Sequence, residues 1–214
     1  MSDTQRKGEF IVQRIFLFVA FTLLFSGVSC AQEEHPRFEV TADYSYFRAN
    51  PSLPSVWNTQ NLNGGGGDVT VFFLNHFGVR ADLQGYNSTN QCPAASSGLT
   101  NCVNSNLFTY MFGPVAKYRF HRFEPFADAL FGGAHSNFYK SACTANTVLC
   151  EGTNADTTAF SMAFGGGVDF EATHRFSLRL FDADYVRTGF GNNFILGNSA
   201  QSNFRVQTGV QFRF

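Results

Sequence analysis

The feature that most constrains this chain is an alternation of apolar and polar residues with a period of two, in windows of about ten residues. The clearest window covers residues 158 to 171, whose alternating apolar side chains are Phe160, Met162, Phe164, Val168 and Phe170. The residues between them are small or charged, and no window after Gln32 has the period of a helix. Because successive side chains of a strand point to opposite faces, the pattern predicts β-strands with one large apolar face.

The same alternation marks both ends of the chain that follows the N-terminal segment. In the last window one face carries Phe204, Val206, Val210, Phe212 and Phe214, and in the first it carries Phe38, Val40, Tyr44 and Tyr46. Less regular windows lie near residues 67 to 73, 77 to 86, 106 to 119, 125 to 138 and 175 to 187. Together these windows predict eight strands.

Two windows contain an irregularity. Pro114 interrupts the fourth, and because a proline cannot donate a hydrogen bond to the ladder, we expect a β-bulge there. In the seventh window the alternation loses phase between Asp182 and Tyr185, which predicts a second bulge.

Short and long connections alternate between the windows. Short turns are predicted near residues 74 to 76, 120 to 124 and 172 to 174, and long polar loops near 48 to 66, 87 to 105, 139 to 156 and 188 to 201. This order is typical of an up-and-down barrel with both termini on the side of the short turns, which in a transmembrane barrel is the periplasmic side. The glycines at 64 to 67 lack the Lys-Ser/Thr of a phosphate-binding loop, and we expect them in a flexible loop that leads into a strand.

An apolar outer face requires the sheet to close. Since a bilayer offers no hydrogen bond to an unpaired edge, the strands predict an all-β, eight-stranded, antiparallel transmembrane barrel with extracellular long loops. A barrel of that size has a lumen just wide enough to be filled by side chains. A soluble lipocalin-like barrel is the alternative, but it needs an apolar interior and a polar exterior, the reverse of residues 158 to 171.

Composition excludes several other classes of protein. The chain has 27 Phe, 7 Tyr and 20 Gly, which is unlike a helical bundle or a nucleotide-binding α/β domain. Its mean hydropathy of -0.11 excludes a polytopic helical membrane protein. A formal charge of -1 gives no electrostatic reason to expect a nucleic acid as partner.

The inward face of the predicted strands collects charged residues. By the alternation, the lumen contains Glu39, Asp43, Arg80, Asp82, Lys117, Arg119, Asp169, Glu171, Arg179, Arg205 and Arg213. The formal charges of these five acidic and six basic residues nearly cancel. Because buried charges persist only when they are paired, we expect a structural network of ion pairs that plugs the barrel. A narrow channel for small solutes is the alternative if the charges leave a continuous wet path.

The N-terminal segment has the organisation of an export signal. Basic residues up to Arg14 precede an apolar run from Ile15 to Phe25, which at about 11 residues is too short to cross a bilayer as a helix. We predict a cleaved signal peptide over residues 1 to 31 and a barrel domain over residues 32 to 214. Lipidation at Cys30 is the alternative to cleavage after Ala31.

Four cysteines follow the predicted signal peptide. Cys92 and Cys102 lie in one predicted long loop, and Cys143 and Cys150 lie in another. An even number of cysteines in an exported chain suggests two disulfides, of which local pairing within each loop is the most economical connectivity. The spacing lacks the close Cys and His sets of a metal site.

Candidate catalytic residues are few. His35, His76, His121 and His174 precede the first strand or fall in the short turns, which leaves His135 beside Ser136 as the best pair for a lipid-modifying enzyme. Neighbouring strand residues point to opposite faces, so this pair cannot readily share a proton. We therefore expect no catalytic residues, no cofactor and no metal. Binding function is expected on the long loops, where Trp57 is either a contact residue or part of an aromatic girdle.

Residues 36 to 214 resemble the barrel domain of the OmpA/OmpX-type outer-membrane β-barrel family. The most specific segments are PFADALFGGAHS, which starts at Pro125, and NFRVQTGVQFRF, which ends at Phe214; MFGPVAKYRF and FDADYVRTGF are similar to further strands of the family. The resemblance implies a location in the cell outer membrane, contact with its lipids, and a structural or surface-interaction role with an extracellular ligand that the sequence does not identify. It also implies that periplasmic chaperones and the barrel assembly machinery handle the chain, and that an assembly signal is formed by Phe204, Val206, Val210, Phe212 and Phe214.

Overall fold

The computed structural model describes residues 37 to 50, 58 to 91, 102 to 137, 158 to 189 and 201 to 214. The chain divides into Met1–His35 and Pro36–Phe214, and the first unit, with the predicted signal peptide, lies outside the described residues. Trp57, Cys92, Cys143 and Cys150 also lie outside them. The described part of the second unit contains β1 (Phe38–Ala49), β2 (Gln60–Phe72), β3 (Phe77–Gln91), β4 (Val103–Lys117), β5 (Phe123–Ser136), β6 (Thr158–Thr173), β7 (Phe176–Thr188) and β8 (Gln201–Arg213).

The eight strands form a closed barrel in the order of the sequence. Each strand pairs antiparallel with the next, and β8 returns to pair with β1, so that Val40 lies opposite both Val69 and Phe212. The β-branched and aromatic residues of the windows suit such strands because they pack well on a pleated surface. The prediction of an all-β, eight-stranded, antiparallel up-and-down barrel is confirmed.

Among the described residues, no helix has the length and hydropathy that are needed to cross a membrane.

The connections define two ends of the barrel. Residues 73 to 76, 118 to 122 and 174 to 175 form short connections at the end where β1 begins and β8 finishes, which we call the turn end. The longer connections cover residues 50 to 59, 92 to 102, 137 to 157 and 189 to 200 at the opposite end, which we call the loop end. The expected alternation of short and long connections is confirmed, although the first long connection is shorter than expected because β2 begins at Gln60.

The glycines at 64 to 67 lie inside β2, so the expectation of a flexible loop is wrong. Gly65 pairs with Tyr44 on one side and with Gly85 on the other. A Cβ atom at Gly67 would overlap the carbonyl oxygen of Thr41 on β1. The glycines therefore allow neighbouring strands to approach closely, and without side chains they could not produce the alternation that reveals a strand.

Pro114 does not produce the expected bulge. It lies opposite Val79 of β3 in regular register. Pairing of β4 with β5 is interrupted after Phe112, which lies opposite Phe131, and resumes in the same register at Val115, which lies opposite Asp128. The ladder thus loses hydrogen bonds beside the proline without gaining an extra residue.

The bulge predicted in β7 is confirmed. The register with β8 shifts between Arg179 and Asp182, and Leu180 and Phe181 both point outward. The extra residue shifts the alternation of inward and outward side chains by one position, so that Asp182 and Asp184 are buried in the interior.

The two faces of the barrel differ in chemistry. Every strand exposes large apolar side chains on the outside, among them Tyr44, Leu83, Phe112 and Phe160. The inside holds most of the buried hydroxyl, amide and charged side chains. An apolar exterior around a polar interior is the arrangement of a barrel in lipid and reverses that of a soluble lipocalin-like barrel, so the soluble alternative is not supported.

Candidate functional site

All eleven charged residues that were assigned to the lumen face the interior. Glu39, Arg80, Asp82, Lys117, Asp169, Arg179, Arg205 and Arg213 are buried, whereas Asp43, Arg119 and Glu171 are partly exposed. Since the strands tilt around a closed barrel, residues that are far apart in sequence meet here. The interior is therefore the candidate site with the densest polar chemistry among the described residues.

Five further carboxylates also face the interior, namely Asp68, Glu124, Asp128, Asp182 and Asp184, and all five are buried. The sequence pattern missed four of them for local reasons. Asp68 follows the glycines at 64 to 67, Asp182 and Asp184 follow the bulge in β7, and Glu124 was expected in a turn. For Asp128, the alternation along β5 was sufficient to assign the side chain to the interior. The described interior contains ten carboxylates and six bases, so the expected near-cancellation of charge is wrong.

A first group of ion pairs, the turn-end cluster, joins Lys117, Arg119 and Arg213 to Glu39, Glu124, Asp169 and Glu171. Lys117 Nζ lies 2.5 Å from Glu39 Oε2 and 2.8 Å from Asp169 Oδ2. Both Nη atoms of Arg213 donate to the carboxylate of Glu124. Bidentate pairs of this kind fix geometry as well as charge, so the cluster closes the turn end with rigid contacts.

A second group, the mid-barrel cluster, joins Arg80, Arg179 and Arg205 to Asp68, Asp82, Asp128, Asp182 and Asp184. Arg80 Nη1 lies 2.5 Å from Asp128 Oδ2 and 2.8 Å from Asp182 Oδ2. Arg205 lies 2.7 Å from a carboxylate oxygen of Asp82 and of Asp184. Arg179 Nε lies 3.1 Å from Asp169 Oδ1 of the turn-end cluster, which makes the two clusters continuous.

Three aspartates of the mid-barrel cluster have the arrangement of cation ligands. Asp128 on β5 and Asp182 and Asp184 on β7 each offer a carboxylate oxygen, and these atoms lie within 4.8 Å of one another. Carboxylate oxygens are ligands of hard cations such as Ca²⁺ and Mg²⁺. The sequence predicted no metal ligands, and its pattern could not have grouped these three aspartates because β6 separates β5 from β7.

Toward the loop end the described interior contains an apolar cluster beside uncharged polar side chains such as Thr109, Ser161 and Asn203. The loop-end apolar cluster consists of Phe47, Leu62, Tyr86, Leu107, Met111, Leu130, Ala134, Ala159, Ala163 and Val186. On each of β1 to β7 its members lie nearer the loop end than the buried charged residues of the same strand. The rings of Phe47 and Tyr86 are 5.1 Å apart, and the Tyr86 hydroxyl lies 2.9 Å from Ser45 Oγ. The described interior thus changes from charged to uncharged along the barrel.

His135 and Ser136 lie on opposite faces of β5. His135 is exposed on the outside, where its Nδ1 lies 2.9 Å from Thr158 Oγ1, whereas Ser136 is buried. Nucleophilic catalysis needs the base within hydrogen-bond distance of the hydroxyl, which this arrangement does not provide. The other described histidines, His76, His121 and His174, are exposed in the short connections.

A groove of about 490 Å³ lies on the outer wall near the loop end. Its lining includes four asparagines (Asn63, Asn87, Asn106 and Asn137) together with Phe108 and His135. The amides offer uncharged donors and acceptors beside an aromatic ring. Concave surfaces with a few placed polar groups are the common form of small-ligand sites.

Four of the residues assigned to the assembly signal lie on the outer face of β8, and Phe214 follows the last residue of that strand. Phe204, Val210, Phe212 and Phe214 are exposed there, and Val206 is partly exposed. The ring of Phe214 lies 4.8 Å from that of Phe212 and 5.8 Å from that of Phe38. Of the four cysteines assigned to disulfides, Cys102 lies directly before β4 and the others lie outside the described residues, so their pairing stays a prediction.

Two solved structures of bacterial proteins have this fold. Neisserial surface protein A is 15% identical, with a TM-score of 0.54, and the match covers 83% of this chain and 97% of that protein. The outer membrane protein OprG from Pseudomonas aeruginosa is 10% identical, with a TM-score of 0.50, and the match covers 84% of this chain and 97% of that protein. At these identities the likeness concerns the fold alone. No curated protein sequence matches the chain.

A family model matches most of the chain. The model of the outer membrane protein beta-barrel domain covers residues 17 to 214, which include every strand of the barrel. The strand order, the apolar exterior and the polar interior agree with that description. The chain belongs to the outer membrane protein beta-barrel domain family.

Proposed function

We propose that this chain is a non-enzymatic outer-membrane barrel with a plugged lumen, which supports envelope structure and carries four long extracellular loops for surface interaction. One observation carries the proposal: side chains occupy the described interior as the turn-end cluster, the mid-barrel cluster and the loop-end apolar cluster in succession. An eight-stranded barrel is narrow enough to be filled in this way.

The succession of charged and apolar clusters disfavours a channel. Ion pairs alone could line a polar path, but an ion that left the mid-barrel cluster toward the loop end would meet Phe47, Leu62 and Leu130. Transfer of an unpaired ion into apolar surroundings costs several kcal/mol even after relaxation. The loop-end apolar cluster therefore acts as an electrical barrier above the charged clusters.

The enzyme alternative lacks a catalytic pair in the described residues. His135 is exposed to the outside and Ser136 is buried inside, so no proton can pass between them directly. A binding role is better supported, because the groove beside Asn87, Asn106 and His135 lies at the base of the long connections. Loops on a rigid scaffold are a common location of binding function.

Orientation and biogenesis complete the proposal. The signal peptide over residues 1 to 31 exports the chain, the barrel inserts with both termini in the periplasm, and the exposed apolar face contacts outer-membrane lipids. Periplasmic chaperones and the barrel assembly machinery handle the chain before insertion. The outward aromatic face of β8 supports this last step, because it presents a row of apolar side chains that ends at Phe214.

Conductance in a planar lipid bilayer tests the plugged lumen directly. We expect the refolded chain to insert without stepwise conductance, whereas a known porin conducts under the same conditions. The same preparation is assayed for release of fatty acids from lipopolysaccharide, with Ser136→Ala as the matched variant. Stepwise conductance would replace the proposal with a channel, and fatty-acid release that disappears in Ser136→Ala would replace it with an enzyme.

A further inference from the structure

The mid-barrel cluster contains more negative charge than its arginines neutralise. Five aspartates accompany three arginines, and each of the eight side chains belongs to a residue that is at most 8% exposed. A buried carboxylate without compensation is costly, because the protein interior solvates charge far less well than water does. If every aspartate is ionised, the cluster has an excess of two negative charges.

Three aspartates of the cluster each have a carboxylate oxygen without a hydrogen-bond partner. In Asp128, Asp182 and Asp184 the Oδ2 atom accepts a hydrogen bond from an arginine: Arg80 donates to the first two and Arg205 to the third. The Oδ1 atom of each is buried and has no hydrogen-bond partner. Buried polar atoms in proteins nearly always have a partner, so three unpaired oxygens on one group of carboxylates call for an explanation.

The strand between the carboxylates has glycines at the positions that face them. Gly165 of β6 lies opposite Asp128 on one side and opposite Asp184 on the other. Gly167 lies opposite Asp182. A Cβ atom at Gly165 would overlap Asp184 Oδ1, so only a residue without a side chain leaves room here for the Asp184 carboxylate.

We propose that Asp128, Asp182 and Asp184 bind one hard divalent cation inside the barrel, with Ca²⁺ as the best fit. The donor set consists of oxygen atoms alone, which favours Ca²⁺ over softer metals. Calcium binds oxygen at about 2.4 Å, so two ligands of one ion lie at most about 4.8 Å apart, and the three carboxylate oxygens lie within 4.8 Å of one another. A divalent ion also neutralises the excess of two charges.

Among the described residues, side chains bury this site from both ends of the barrel. The loop-end apolar cluster covers it on one side, and the turn-end cluster, with the Phe72 and Phe126 rings against Lys117, covers it on the other. We therefore expect the ion to enter during folding and to exchange slowly afterwards. Slow exchange distinguishes this site from exposed carboxylates, which release calcium when the free ion is removed.

The test compares two refolding conditions. The full chain is refolded in a zwitterionic detergent without lipopolysaccharide, either with calcium chloride or with a chelator, and then desalted. Elemental analysis should find about one calcium ion per chain after refolding with calcium, because the metal is held within the folded state. The calcium-loaded barrel should unfold at a temperature several degrees higher than the chelator-treated one, because a ligand that binds only the folded state stabilises it.

Asp128→Asn is the informative variant, since Arg80 keeps Asp68, Asp82 and Asp182 as partners. It should lose the retained calcium, and in chelator it should unfold at a higher temperature than the unsubstituted chain, because one uncompensated charge is gone. Asp43→Asn is the matched control: it removes an interior carboxylate that accepts from Gln84 and Gln207 outside the three-aspartate group, and it should retain calcium.

Three results would overturn the proposal. The first is the absence of retained calcium in the unsubstituted chain, which would mean that protons or water compensate the charge. The second is retention that Asp128→Asn leaves intact, which would place the ion elsewhere. The third is an equal loss of stability in Asp128→Asn with and without calcium, which is the result expected if Asp128 serves only as a partner of Arg80. Conductance and lipid hydrolysis do not enter this test, so its failure leaves the proposed function standing.

Discussion

At the scale of single residues, Arg80 organises the interior. It is fully buried, and its guanidinium lies between 2.5 and 3.8 Å from carboxylate oxygens of Asp68, Asp82, Asp128 and Asp182. These partners come from β2, β3, β5 and β7, so one side chain joins four strands. We expect Arg80→Met to destabilise the folded barrel by about 3–5 kcal/mol, because it leaves buried carboxylates without their cation.

The Arg80 prediction is measured by urea titration in lipid vesicles, with the fraction of folded chain read from heat-modifiable mobility on gels. Arg187→Met is the matched control, because Arg187 lies on the outer face of β7 and is exposed. It should change the free energy of unfolding by no more than about 0.5 kcal/mol. Equal effects of the two substitutions would contradict a special role for the buried arginine.

At the scale of elements, β8 combines two functions on its two faces. Its inner face contributes Arg205 to the mid-barrel cluster and Arg213 to the turn-end cluster, and its outer face exposes Phe204, Val210 and Phe212. The sequence pattern predicted this division correctly because the strand is regular throughout. In β2 the pattern failed at the glycines, and in β7 it needed a bulge before the inward positions of Asp182 and Asp184 could be assigned.

Substitution of Phe214 tests the proposed assembly signal. In cells, Phe214→Ser should lower the amount of heat-modifiable barrel in outer-membrane fractions several-fold, since the assembly machinery is proposed to read the end of β8. Phe160→Ser on β6 is the control, because it removes an exposed aromatic side chain of the same outer face from another strand. If both variants assemble equally well, the end of β8 is not the signal.

At the scale of the whole molecule, closure of the sheet gives a property that gels can measure. All eight strands are paired on both edges, so detergent should not unfold the barrel until it is heated. The unboiled chain should therefore migrate faster than the boiled chain. Reductant should slow the boiled form further if disulfides staple the two cysteine-bearing connections, since closed loops keep an unfolded chain more compact.

The variant Cys92→Ser with Cys102→Ser serves as the control for the effect of reductant. This double variant should remove part of the shift caused by reductant and leave the difference between unboiled and boiled forms unchanged, because the eight strands include neither position. A chain that stays soluble without detergent and shows one mobility under all conditions would contradict the membrane barrel.

The sequence by itself determined the number of strands, their order, the alternation of connections and the face on which most side chains lie. Each of these depends on local periodicity or on the spacing between windows, as in β6 and β8. Only the tertiary structure decided which charges meet. Arg80 and Asp182 are 102 residues apart, and the pairing of β8 with β1 brings Arg213 to Glu39.

The dependence on contacts between strands also explains why the sequence did not predict the excess of interior carboxylates or the group of three aspartates. Their position depends on closure of the sheet, on the bulge in β7 and on the room that Gly165 leaves for the Asp184 carboxylate. Periodicity along one strand assigns a face to a residue, but it contains no information about which residue of another strand lies across the lumen. That relation arises only when the eight strands close.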